Sequence, residues 1–172
     1  GVVGNHMWDP VFRENFTMAT KDVKWWGGEP VWHTAERQGQ RAATYFWPGS
    51  EVPELAAGRW VPYNASVPFS ERVDTVLEWL SGPNPPEVVT LYFEEPDHSG
   101  HMAGPGSQEV AAALRSVDAA VGRLLAGLEG MGREEEVNVL VTSDHGMAET
   151  AAERTIYLSE CSSPSKYMVA DM

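Results

Sequence analysis

The run Val88-Val89-Thr90-Leu91-Tyr92-Phe93, continuing into Glu94-Glu95-Pro96-Asp97-His98-Ser99-Gly100-His101, decides the fold. An apolar and β-favouring run without polar alternation predicts a strand covered on both faces. The stretch ahead of it has helical spacing. Ser70 is placed as the N-cap, and Val73, Val76, Leu77 and Leu80 share one helical face. Gly82-Pro83-Asn84-Pro85-Pro86 then ends the helix.

The same order, helix then strand, occurs twice more. Upstream, Val31–Arg37 leads into Ala42–Trp47. Downstream, Val110, Leu114, Val117, Val121, Leu124 and Leu128 recur at spacings of three and four, predicting an amphipathic helix from Ser107 to Leu128. Val137-Asn138-Val139-Leu140-Val141-Thr142 follows and reads as another buried strand. Helices alternating with continuous apolar strands imply an α/β fold with a mostly parallel sheet flanked by helices. In such sheets, sites form at the carboxyl ends of the strands. Two polar segments fall there: Glu94–His101, and Ser143-Asp144-His145-Gly146-Met147.

Composition narrows the function. The chain has 172 residues and a formal net charge of −13, so a basic groove for nucleic acid is not expected. Small phosphate substrates remain open, because bound divalent metals reverse the local field. No apolar run reaches the ~18 residues of a membrane span. The single cysteine, Cys161, supports no disulfide framework. Asn15-Phe16-Thr17 and Asn64-Ala65-Ser66 are glycosylation sequons, which lean towards a secreted or lumenal protein. The start, Gly1-Val2-Val3-Gly4-Asn5-His6, has no signal pattern and reads as mid-domain sequence.

The two polar segments carry the chemistry. Carboxylate oxygen and imidazole nitrogen are the usual ligands of a catalytic zinc. A glycine-containing turn through Ser99-Gly100 would let Asp97 and His101 converge on one ion. Gly146 would let the adjacent Asp144 and His145 both reach the site from a strand end. One ion per segment is the arrangement that clamps the attacking and leaving oxygens of a phosphoryl transfer. Taken singly, each pair reads first as a helix cap or a surface loop; both together, each after an expected parallel strand, put the metal reading level with that one. His98 is expected to face solvent, and His6 and His33 have no partner nameable from sequence. The aromatic patches Trp25-Trp26 and Tyr45-Phe46-Trp47 read either as core or as a flat wall for a planar group.

Six collinear stretches, Val3–Pro10, Trp25–Pro30, Ala43–Val52, Tyr63–Phe69, Thr90–His101 and Ser143–Met147, strongly resemble the nucleotide pyrophosphatase/phosphodiesterase family of the alkaline-phosphatase superfamily. In detail the chain looks nearest to plant-like members. The resemblance covers residues 1–150 as the central part of a catalytic domain. Residues 151–172 match weakly and read as a truncated tail of the same domain. It implies an alkaline-phosphatase-like α/β fold, here incomplete, and a two-zinc hydrolase of nucleotide pyrophosphate or phosphodiester bonds that releases nucleoside monophosphates. Asp97 and His101 match ligands of one zinc; Asp144 and His145 match ligands of the other. Asn5 matches the residue that donates to a non-bridging phosphate oxygen. Trp47, Tyr63 and Tyr92 match the lining of the base pocket, and Glu51 an acid near the base.

The family's threonine or serine nucleophile would lie upstream of Asn5, and a further histidine ligand downstream of His145. The expectation is therefore a fragment that is inactive alone, binds zinc weakly and exposes apolar surface. The resemblance places the parent protein in the secreted, lumenal or extracellular space. Two competing expectations are cleavage of phospholipid or choline phosphodiesters, and a non-catalytic truncated product that binds metal or a partner.

Overall fold

The structure is a computed structural model that describes residue 2 and residues 4–169. Two strands, β1 (His6–Asp9) and β2 (Glu14–Thr17), open the chain as an antiparallel hairpin. Asp9 shapes the turn, its carboxylate accepting from the N–H groups of Val11 and Phe12 at 2.7 and 2.9 Å. Helix α1 (Val31–Arg37), strand β3 (Ala42–Tyr45), strand β4 (Arg59–Val61), helix α2 (Phe69–Ser81) and strand β5 (Val88–Leu91) follow. Helix α3 (Asp97–Ala103) and the long α4 (Gln108–Gly130) complete the main body.

The expected parallel sheet is present, in the order β4-β3-β5, both pairs parallel. Its faces are covered differently. Trp32 of α1 packs with Ala42, Ala57, Trp47 and Val88 on one side. Tyr45, Phe46, Val76, Leu80 and Leu128 form the larger core on the other, joined by Val89, Leu91 and Tyr92. The Tyr45-Phe46-Trp47 patch enters this packing, while Trp25-Trp26 packs against the hairpin. Trp25 is buried between Phe12 and Phe16, with ring centroids 5.0 and 5.4 Å away.

Three local expectations need correction. Helix α2 starts at Phe69, with Pro68 rather than Ser70 in the N-cap position. The Pro68 carbonyl already accepts from Glu71 and Arg72, which puts Ser70 inside the first turn. On α4 the buried positions are Ala113, Ala120 and Leu128, while Leu114 is 51% exposed. Small residues take the seam because α4 lies close against α2: a Cβ at Gly127 would overlap Leu77 Cδ1 and Cδ2.

The third correction is the largest. Val137–Thr142 forms no strand. Val137 touches the core, but Leu140 is 86% and Val141 77% exposed. A fully apolar run is stable as a strand only when a neighbour pairs with it and layers cover both faces. No described strand pairs with this run.

The start of α4 follows the sequence closely. Ser107 is its N-cap, Oγ accepting from Val110 N–H at 3.2 Å. Ser107→Ala should destabilise the chain by ~1 kcal/mol, read as a lower urea midpoint at unchanged slope.

Candidate functional site

The polypeptide leaving β5 is fixed before it reaches the candidate ligands. Glu95 caps α3: its carboxylate accepts from Ser99 N–H and Ser99 Oγ, each at 3.0 Å. Asp97 and His101 are therefore neighbours one helical turn apart, not residues of an irregular turn. His101 Nε2 lies 3.3 Å from Asp97 Oδ1. The helix does the converging that the sequence reading gave to glycine.

The second segment comes to the same place without a strand to carry it. His145 Nε2 lies 3.9 Å from Asp97 Oδ1 and 3.6 Å from Asp144 Oδ2. Gly100 permits this meeting. A Cβ there would collide with Met147 Sδ and Cε, so α3 and the second segment interlock at that one missing side chain. Gly100→Val should expel the Met147 side chain from α3 and loosen the hold on residues 143–147. If the two segments share a metal, the expected loss in metal affinity is roughly 10–100-fold, the size seen when outer partners of metal ligands are removed, measured by calorimetric titration.

The electrostatics of the meeting point are dominated by its carboxylates. Asp97 Oδ1 is buried and has no hydrogen-bond partner. The His145 pKa is raised, by the Gly146 carbonyl at its ring and then by the negative charges of Asp144 and Asp97. Burial raises the Tyr92 phenol, helped by Tyr63, Asp144, Glu94 and Asp97. Among the described residues, no group of three or more His, Cys, Asp or Glu closes around a single ion. What stands is an orphaned carboxylate oxygen facing two imidazoles, with a second carboxylate behind one of them. That donor set fits a divalent cation held by oxygen and nitrogen. His98 is exposed, as expected.

Beside these candidate ligands lies an aromatic pair. Tyr63 stands edge-on to Tyr92 at 6.3 Å and to Phe46 at 5.4 Å. Glu51 holds the Tyr63 segment from behind, accepting its N–H at 2.9 Å and pairing with Lys21. Burial pushes the Glu51 carboxyl up, but Lys21 and the Tyr63 N–H outweigh it and leave the pKa lowered. Trp47 packs on the other side of the sheet, against Trp32, Ala42 and Ala57. Asn5 is exposed just ahead of β1, and no hydrogen bond among the described residues joins it to the four candidate ligands.

One residue behind this site escaped the sequence reading. Arg72 is completely buried and pairs with Glu94 through both arms of its guanidinium, at 2.6 and 2.9 Å. The available signal was a charge set within the apolar spacing Phe69, Val73, Val76, Leu80.

Comparison with known proteins gives one consistent answer. The family model for type I phosphodiesterase/nucleotide pyrophosphatase matches residues 1–172. The chain is 42% identical over 167 residues to ectonucleotide pyrophosphatase/phosphodiesterase family member 1 of Rattus norvegicus, covering 93% of this chain and 18% of that protein. It is 42% identical over 166 residues to venom phosphodiesterase 2 of Crotalus adamanteus, covering 92% of this chain and 20% of the relative. Among solved structures, murine ectonucleotide pyrophosphatase/phosphodiesterase 5 superposes with a TM-score of 0.90 at 34% identity, over 99% of this chain and 48% of that one. A second structure of that murine protein is an inactive variant in complex with AMP. The chain thus spans about a fifth of the length of the curated relatives it matches. With a closely superposing fold, and with the family model matching along its whole length, the chain belongs to the type I phosphodiesterase/nucleotide pyrophosphatase family.

Proposed function

We propose that this chain is part of a two-zinc hydrolase that cleaves nucleotide pyrophosphate or phosphodiester bonds and releases a nucleoside monophosphate. The observation that carries the reading is the meeting of two separate segments at Asp97 Oδ1, a buried oxygen with His101 Nε2 at 3.3 Å and His145 Nε2 at 3.9 Å. Asp97 and His101 would hold one zinc, Asp144 and His145 the other. Bound zinc supplies positive charge for the phosphate oxygens and for the attacking and leaving groups. Asn5 would donate its amide N–H to a non-bridging phosphate oxygen. Tyr63 and Tyr92 would offer edges and faces to a planar base, with Glu51 near the base edge, whereas Trp47 packs across the sheet from them. The murine relative bound to AMP supports a nucleoside monophosphate as the released half.

The sequons at Asn15 and Asn64 support exposure of the parent protein outside the cytoplasm, since both asparagines face solvent. The relatives named as ectonucleotide enzymes agree with that placement. No helix among the described residues is long and apolar enough to cross a membrane.

The test uses the full-length protein. It should hydrolyse the p-nitrophenyl ester of thymidine 5′-monophosphate, lose that activity on chelation and regain it with zinc. Lysophosphatidylcholine should be hydrolysed far more slowly. Failure of zinc to restore a stripped sample, or a preference for the lipid, would sink the proposal.

A further inference from the structure

Arg72 is the residue whose burial is hardest to justify by stability alone. Its side chain is 0% exposed within the apolar face of α2. Every arm of the guanidinium is used. Nε donates to Val67 O at 3.0 Å and Nη1 to Tyr92 O at 3.1 Å. Nη1 and Nη2 donate to the two oxygens of Glu94. Three rings surround the group, with Phe69 at 4.7, Phe46 at 4.9 and Phe93 at 5.9 Å. A buried ion pair is often no more stabilising than apolar residues of the same volume, so the fold itself gives weak reason to keep it.

What Arg72 joins supplies a better reason. Val67 ends the segment that carries Tyr63. Phe46, on which the guanidinium stacks, supports Tyr63 edge-on. Tyr92 is held by its own backbone carbonyl. Glu94 is followed directly by Glu95, the cap of α3, and α3 carries Asp97 and His101. One planar cation therefore ties the aromatic wall to the start of the ligand helix. We propose that Arg72 is a positioning residue: it fixes the distance between the base-stacking tyrosines and the phosphate-binding ligands, and so sets how well a nucleotide spans the two. This rests on the function proposed above.

A residue that only holds the fold together would affect all substrates alike. A spacing residue affects those that touch both ends. The experiment compares the thymidine ester with bis(p-nitrophenyl) phosphate, which has no base, in the full-length protein. Arg72→Lys keeps the charge but loses the fork and the stacked plane. The expected result is a selectivity for the thymidine ester, as the ratio of kcat/KM values, lowered by roughly tenfold or more, since small misplacements carry rate costs of that order. A paired exchange, Arg72→Met with Glu94→Leu, leaves no unpaired buried charge and should fold even where Arg72→Lys does not. It should show the same drop. If either folded variant keeps the wild-type ratio within twofold, or if both substrates fall in step, the proposal is overturned. Absence of hydrolysis of both esters by the wild type would instead indict the functional reading.

Discussion

On the function proposed above, Asp144→Asn should lower turnover of a nucleotide ester by the full-length protein by on the order of 10³-fold or more, because it removes a charge that would hold an ion worth several kcal/mol to the transition state. Folding should be indifferent. The Asp144 side chain is 85% exposed, and its one described hydrogen bond is to the neighbouring His145 N–H at 3.1 Å. Surface changes of this kind shift stability by no more than about 0.5 kcal/mol. Asparagine keeps the shape and one acceptor oxygen, so the exchange isolates charge from packing. The measurement pairs kcat with the urea midpoint of the same preparation. Wild-type kcat in a folded variant would remove Asp144 from the metal site.

Glu94→Ala has the opposite profile, a large stability effect at some distance from the ligands. It leaves the Arg72 guanidinium buried and unpaired, which costs about 3–5 kcal/mol. The same pair sets an acid limit. Burial pushes the Glu94 carboxyl up, but the hydrogen bonds from Arg72, its own backbone N–H and the Arg72 charge outweigh this, so the folded pKa lies below the ordinary glutamate value. A depressed carboxylate stabilises the fold fully above its unfolded pKa and loses that contribution as the pH falls through the folded one. Wild-type stability should therefore decline with acid below about pH 4.5, where a free glutamate begins to protonate. The decline should be shallower in Glu94→Ala, which has already lost the pair. Equal acid slopes in urea titrations of the two proteins would show that the pair contributes nothing.

The parts of this fold that were legible in the sequence were those with a long period. Helices α1, α2 and α4 and strand β5 lie where the sequence pattern put them, because a helical spacing or an unbroken apolar run states the element, although on α4 the buried positions are Ala113, Ala120 and Leu128 rather than the whole expected stripe. Strand β4 has three residues and the β1–β2 hairpin four on each side, too short for any period to emerge. Val137–Thr142 failed for a different reason. Its composition satisfies the rule for a buried strand, but strand formation depends on a partner that composition does not encode.

The site divides in the same way. Asp97, His101, Asp144 and His145 could be named from residue type and position, and they do meet. Their route to one another was not legible. It runs through the Glu95 cap, the bare Cα of Gly100 and the side chain of Met147, each a contact between groups with no periodic signature. Arg72 was missed because a charge on a helix is ordinarily on the wet side, and only its company of phenylalanines marks it otherwise.

The close approach of α2 and α4 has a consequence for how sequences in this family can drift. Gly127 and Leu77 divide a single volume between them. A mutation at either position is constrained by the occupant of the other, so the two should change as a linked pair across lineages. A bulkier residue at 127 becomes tolerable only where 77 has already shrunk, and the order in which the two changes arise decides whether the intermediate folds.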